Sequence, residues 1–191
     1  MKKNDYAESF KLCIIGRYSV GKTALINRYI TDLFTSDYKP TIATCFTEVC
    51  VPLRGKKISI NLWDTAGQEK FQSLTPLLLQ DCDCVILVID ITVIDSFNYV
   101  ENWINNEWQS MNPLPILIIC LNKCDLSPCF DLENVAELAS SYNIPVVQTS
   151  ALSGANVSKL FLKAAEMLSE STQHHSYVCT PLNDDAQKSC C

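Results

Sequence analysis

The sequence predicts an α/β fold, and three observations carry that prediction. Short apolar runs rich in branched residues alternate along the chain with amphipathic helical patterns, the signature of a sheet flanked by helices. Several of these runs, among them "KLCII", "CVILVID" and "ILIICL", are continuously apolar, as strands buried on both faces are. The chain has 191 residues, 48% hydrophobic and 19% charged, enough for one substantial core but not for a second full domain.

The elements follow in order. "FKLCIIG" is the first strand, and "ALINRYI" is the helix after it. "CFTEVCVPL" and "KKISINLWD" alternate more strongly, and the intervening "RGK" suits a tight turn, which predicts an antiparallel hairpin. "CVILVID" is the next strand and "SFNYVENWINNEW" the next helix; "LPILIICLN" and "LENVAELASSY" repeat the pair. "IPVVQTS" is the last strand and "VSKLFLKAAEMLS" the last helix. There is no internal repeat. From about Glu170 apolar periodicity stops, so the expectation is a folded domain over 8–169 and a disordered tail over 170–191.

Composition excludes several function classes. With 15 basic residues against 21 acidic, the net charge of −6 offers nothing to attract nucleic acid or an anionic membrane surface. The 11 cysteines are odd in number and several sit inside apolar runs, which suits buried thiols in a reducing compartment better than a disulfide framework. Cys82 and Cys84 stand too close for a zinc pair, Cys120, Cys124 and Cys129 lack a second cluster, and His174 and His175 lie in the polar tail. The opening "MKKNDYAESF" has no apolar region after its charges, and no apolar run nears the roughly 20 residues that cross a bilayer, so neither a leader nor a span is expected.

Chemistry enters with "GRYSVGKT", which matches G-x-x-x-x-G-K-(S/T) between a strand and a helix, the context a phosphate loop requires. Gly16, Ser19, Val20 and Gly21, with Lys22, Thr23 and Ala24 at the helix start, are the residues whose backbone and side chains would cradle phosphates. Lys22 would reach the β and γ phosphates and Thr23 would offer its hydroxyl to Mg²⁺. "WDTAGQE" ends the hairpin's second strand, where Asp64 would hold Mg²⁺ directly or through water, Gly67 would donate to the γ phosphate and Gln68 would orient the attacking water. Taken alone, Asp64 reads better as a helix or turn cap.

"NKCD" supplies Asn122, Lys123 and Asp125 straight after a strand. A carboxylate there accepts from N1–H and the 2-amino group of guanine and is left unpaired against adenine, which selects guanine. "TSAL" ends the last strand, and the backbone N–H groups of Ser150, Ala151 and Leu152 would meet the guanine O6.

These motifs, in this order and with "FTSDYKPTI" between the first and the "WDTAGQE" motif, make the chain resemble the Ras superfamily of small GTPases from about Phe10 to Leu168. The resemblance implies a P-loop G domain: a six-stranded, mostly parallel sheet with one antiparallel strand and about five helices on its two faces. It implies that Phe34 packs on the guanine, that Tyr38 closes over the phosphates, and that Thr41 ligates Mg²⁺ when the γ phosphate is present. Trp63, "NKCD" and the terminal pair Cys190 and Cys191 look like the Rab branch, in which such a pair carries two geranylgeranyl groups. Two chains anchor stably where one is marginal. The resemblance further implies a monomer working on the cytoplasmic face of an internal membrane and cycling with the cytosol. Its implied partners are an exchange factor, a GTPase-activating protein, a GDP-dissociation inhibitor and effectors, with no nucleic acid among them.

The chain also departs from that branch. Ala43 and Cys45 stand where Rab proteins usually carry a glycine and an aspartate, and "PLLLQDC" replaces a tyrosine pair and arginine, so the effector set does not carry over. A Rho-like reading is favoured faintly by "TPLLLQ", but the stretch between Asp125 and Thr149 is too short for that branch's extra helix. The third loop residue is Tyr18, and by resemblance that position lies beside the γ phosphate and the path of Gln68. Two functions therefore stand at this point: a GTP-hydrolysing traffic switch, and a nucleotide-binding interaction module that hydrolyses slowly or not at all because Tyr18 crowds the site. A small-molecule kinase with a P-loop fails on "NKCD" and on the lack of an arginine-rich lid.

Overall fold

Strands β1 (Ser9–Ile15), β2 (Cys45–Leu53), β3 (Lys56–Asp64), β4 (Cys84–Asp90), β5 (Ile116–Asn122) and β6 (Val146–Gln148) form one sheet in the order β2-β3-β1-β4-β5-β6. The computed structural model describes residues 9–34, 45–65 and 75–171. Only the β2–β3 pair is antiparallel; β1 pairs parallel with β3 and β4, β4 with β5, and β5 with β6. The hairpin between β2 and β3 turns on Arg54 and Gly55, both with positive φ (48° and 79°), as a two-residue turn matching strand twist requires.

Among the described residues the helices are α1 (Lys22–Thr31), α2 (Thr75–Leu79), α3 (Ser96–Asn106), α4 (Leu132–Ser141) and α5 (Val157–Ser171). The predicted sheet, its one antiparallel strand and the helix count are all observed. Alternation within the apolar runs decides which helices each strand meets. Leu12, Ile14, Ile86, Val88, Ile118 and Cys120 pack with Leu25 of α1 and with Leu160 and Phe161 of α5. Their neighbours Cys13, Ile15, Val85, Leu87, Leu117 and Ile119 pack with Trp103 and Ile104 of α3 and with Val135 and Ala139 of α4 on the other face. Every residue of β4 is buried, which explains why no polar alternation marks it in the sequence.

Two element ends and one whole element differ from expectation. The third helix stops at Asn106, and a 3₁₀ turn over Trp108–Ser110 brings the Trp108 indole into the core, where its N–H donates to Pro115 O at 2.9 Å. The last strand is shorter than "IPVVQTS", because Ser150 turns away with its N–H on Ala155 O. The short helix α2 was invisible to periodicity, since five residues complete little more than one turn.

Candidate functional site

The parallel strands β1, β3, β4, β5 and β6 point their C-terminal ends to one edge of the sheet. From β1 the chain travels outward to β3 and then returns across β1 to β4, so the loop after β1 stands where strand order reverses, the place at which open α/β sheets leave a crevice. Gly16 to Gly21 fill that position between β1 and α1.

Two glycines are required there. A Cβ on Gly16 (φ +147°) would lie 2.2 Å from the Val88 carbonyl oxygen, and one on Gly21 (φ +98°) would lie 2.4 Å from the Asn122 amide nitrogen. Ser19 takes φ 63°, a left-handed conformation that lets the loop curl. Lys22 is buried, and its ammonium donates to the carbonyls of Gly16 (2.8 Å) and Arg17 (2.9 Å) at the mouth of the loop. Burial pushes its pKa down to about 8, against the opposing pull of Asp64.

Thr23 and Asp64 meet from α1 and the end of β3: the threonine hydroxyl donates to Asp64 Oδ2 at 2.6 Å. The second carboxylate oxygen, Oδ1, is buried with no hydrogen-bond partner among the described residues. Burial raises the Asp64 pKa, with the Thr23 hydrogen bond and the Lys22 charge working against it. An orphaned buried carboxylate oxygen beside a hydroxyl is an all-oxygen donor set, which fits a hard divalent cation such as Mg²⁺.

The base end is assembled by side chains far apart in sequence. Asn122, buried at the end of β5, donates through Nδ2 to Val20 O at 2.8 Å, while its Oδ1 accepts from the Thr149 hydroxyl and the Ala151 N–H, each at 3.2 Å. One amide thereby ties the phosphate loop to the segment after β6. Lys123 (φ 66°) pairs with the buried Asp90 at the end of β4. Burial alone would raise the Asp90 pKa, but the Lys123 and Thr92 contacts outweigh it and hold the carboxyl below its usual value. Asp125 is exposed, and Ser150 donates its hydroxyl to Asp125 Oδ1, so Ser150 enters the site by orienting a carboxylate while its own N–H is used inside the loop.

The structure thus brings Gly16, Ser19, Val20, Gly21, Lys22, Thr23, Asp64, Asn122, Lys123, Asp125, Ser150, Ala151 and Leu152 to one edge. Ala24 sits in the first turn of α1, and Phe34, half-exposed, follows that helix's last turn. Tyr38, Thr41, Gly67, Gln68, Cys190 and Cys191 lie outside the described residues. Tyr18 is 46% exposed at the loop's crest, and the preceding Arg17 guanidinium lies 6.0 Å from the Tyr99 ring centroid on α3. The sequence reading missed Asp90, although a lone acid closing an apolar strand is the same signal that drew attention to Asp64. It took Thr149 only as the first residue of "TSAL" and gave its side chain no role, whereas its buried hydroxyl donates to the Asn122 amide oxygen.

The chain matches the Ras family model over residues 11–170. It is 34% identical over 170 residues to the Ras-related protein Rab-1C of Dictyostelium discoideum, an alignment covering 88% of this chain and 85% of the relative. It is also 34% identical over 187 residues to the GTP-binding protein YPT1 of Saccharomyces cerevisiae, covering 97% of this chain and 88% of the relative.

Proposed function

Because the chain belongs to the Ras family and to its Rab branch of small GTPases, we propose that it is a GTP/GDP switch that recruits effectors to internal membranes in vesicular traffic. Members of this family bind guanine nucleotides and hydrolyse GTP. The observation that carries the reading is the Asn122 amide, which holds the phosphate loop at Val20 and the base segment at Thr149 and Ala151 at once. Such a bridge serves a ligand that has phosphates at one end and a base at the other.

The residue roles in this reading come from the family resemblance, supported by the contacts described above. Lys22, now on the Gly16 and Arg17 carbonyls, would serve the β and γ phosphates, and Thr23 with Asp64 would hold Mg²⁺, which would supply positive charge against that developing on the phosphates. Asp125, oriented by Ser150, takes guanine N1–H and the 2-amino group, and Phe34 covers the ring. By the family resemblance, Tyr38, Thr41 and Gly67 would meet the γ phosphate in the GTP state and release it after hydrolysis, for which Gln68 would orient the water. Cys190 and Cys191 carry the lipid anchor, and exchange factors, activating proteins, a GDP-dissociation inhibitor and effectors are the expected partners.

Hydrolysis is slow in this reading, because Tyr18 is a large ring on a loop pinned at Arg17 and turned left-handed at Ser19. A competition titration tests the core assignment: with Mg²⁺ present, GDP and GTP should bind far more tightly than ATP, and Asp125→Asn should narrow the difference. Comparable affinity for ATP in the wild type would defeat the guanine assignment.

A further inference from the structure

Arg28, in the last turn of α1, spans three backbone carbonyls. Its Nε donates to Ala151 O at 2.9 Å, one terminal nitrogen to Leu152 O at 2.5 Å and the other to Asp32 O at 2.6 Å. The side chain is only 15% exposed, whereas the nearby Asp32 carboxylate, 3.7 Å away and 97% exposed, adds little. Asp32 closes α1 in a left-handed conformation (φ 56°), and its N–H returns to the Arg28 carbonyl at 3.0 Å. One guanidinium therefore fastens the segment after β6 to the exit of α1, two residues before Phe34.

The orientation of those carbonyls has a consequence on their other side. A peptide is planar and trans, so turning Ala151 C=O toward Arg28 aims the Leu152 N–H the opposite way. In the next plane Leu152 C=O faces Arg28 and the Ser153 N–H reaches Ser150 Oγ at 3.1 Å, the same hydroxyl that donates to Asp125. Arg28 thus lies behind both the amide directed at the base and the carboxylate that selects it. Five donors in a rigid plane meet three fixed acceptors; a lysine ammonium has neither the fork nor the reach to serve all three.

We propose that Arg28 is a positioning residue for guanine retention: it moors the Leu152 side and the Phe34 side of the base site to one group, so that letting the base go requires one of them to part from it. The proposal rests on the guanine-binding reading above.

The test is release of a fluorescent GDP from the purified full chain into excess unlabelled GDP with Mg²⁺. It is repeated with 6-thioguanosine diphosphate, which keeps N1–H and the 2-amino group but carries sulfur, a poor hydrogen-bond acceptor, in place of O6. Arg28→Ala should speed GDP release on the order of tenfold to a hundredfold, the scale of one or two charge-assisted hydrogen bonds. Arg28→Lys should recover little of that loss. For the 6-thio analogue, Arg28→Ala should change release by no more than about twofold, since the contact it supports is already weakened. An equal acceleration for both nucleotides would mark a general support of the fold and overturn the proposal, as would unchanged GDP release. If Arg28→Ala fails to fold, Arg28→Gln carries the same comparison with the same two outcomes. Equal retention of GDP and ADP by the wild type would instead overturn the guanine-site reading itself, and this proposal with it.

Discussion

Tyr18, 46% exposed, stands in the phosphate loop between Arg17, whose guanidinium lies 6.0 Å from the Tyr99 ring centroid, and the left-handed Ser19. Under the proposal of slow hydrolysis this ring takes the volume that Gln68, its water and an incoming arginine would need, and an arginine finger is worth ~10³–10⁵ in rate. Tyr18→Gly should therefore speed single-turnover hydrolysis, more so with an activating protein, and Gln68→Leu in that background should remove the gain. Equal rates for Tyr18→Gly and wild type, with and without the activator, would defeat the crowding argument. Asp90 makes a separate prediction. Its folded pKa is depressed, so its contribution to stability is present above the unfolded carboxylate value and is lost as pH falls through the folded one. Asp90→Asn should cost about 1–3 kcal/mol at neutral pH, discounted from a fully buried pair because Lys123 is one-third exposed. Urea midpoints should fall from pH 5 to pH 3 in the wild type and much less in the variant; parallel pH profiles would show that the pair contributes no linked stability.

At the scale of elements, the long amphipathic helices were legible to within a turn, and α2 was not. Helix α5 shows why: Leu160, Phe161, Ala164, Ala165 and Leu168 are buried at helical spacing, and Phe161 stacks on Tyr29 of α1 with ring centroids 4.1 Å apart. Phe161→Ala should destabilise by about 3–5 kcal/mol through lost burial and the cavity left behind. Leu162→Ala, one residue on and 38% exposed, should cost well under that. Chemical denaturation distinguishes them, and similar losses for the two would contradict the placement of α5. The spacing shared by Leu160, Phe161 and Ala164 is what made the helix readable before any contact was known.

The whole molecule has one face of helices α1 and α5, another of α3 and α4, and the site at the edge between them. Among the described residues no helix is long and apolar enough to cross a membrane. With a net charge of −6, and Asp184 and Asp185 near the end of the sequence, electrostatics supply no substitute for a lipid anchor. Lipidation of Cys190 and Cys191 should accordingly decide membrane association. Replacing both by serine should leave the chain in the soluble fraction of a cell lysate with nucleotide binding intact; persistent membrane association would show that the anchor lies elsewhere.

The sequence by itself determined the α/β class, the hairpin and the residue types at the phosphate and base ends. It could do so because period, turn residues and short motifs are local properties, set by neighbours a few positions away. Tertiary structure alone decided what holds those motifs together. The Asn122 contact with Val20 spans 102 positions and the Arg28 contacts with Ala151 and Leu152 span 123 and 124, so no local pattern encodes either. It also decided that Ser150 serves through its hydroxyl, that Asp90 pairs with Lys123, and that one oxygen of Asp64 is buried without a partner among the described residues. Each of these depends on which strand ends arrive side by side, and that is fixed by the crossing of the chain over β1.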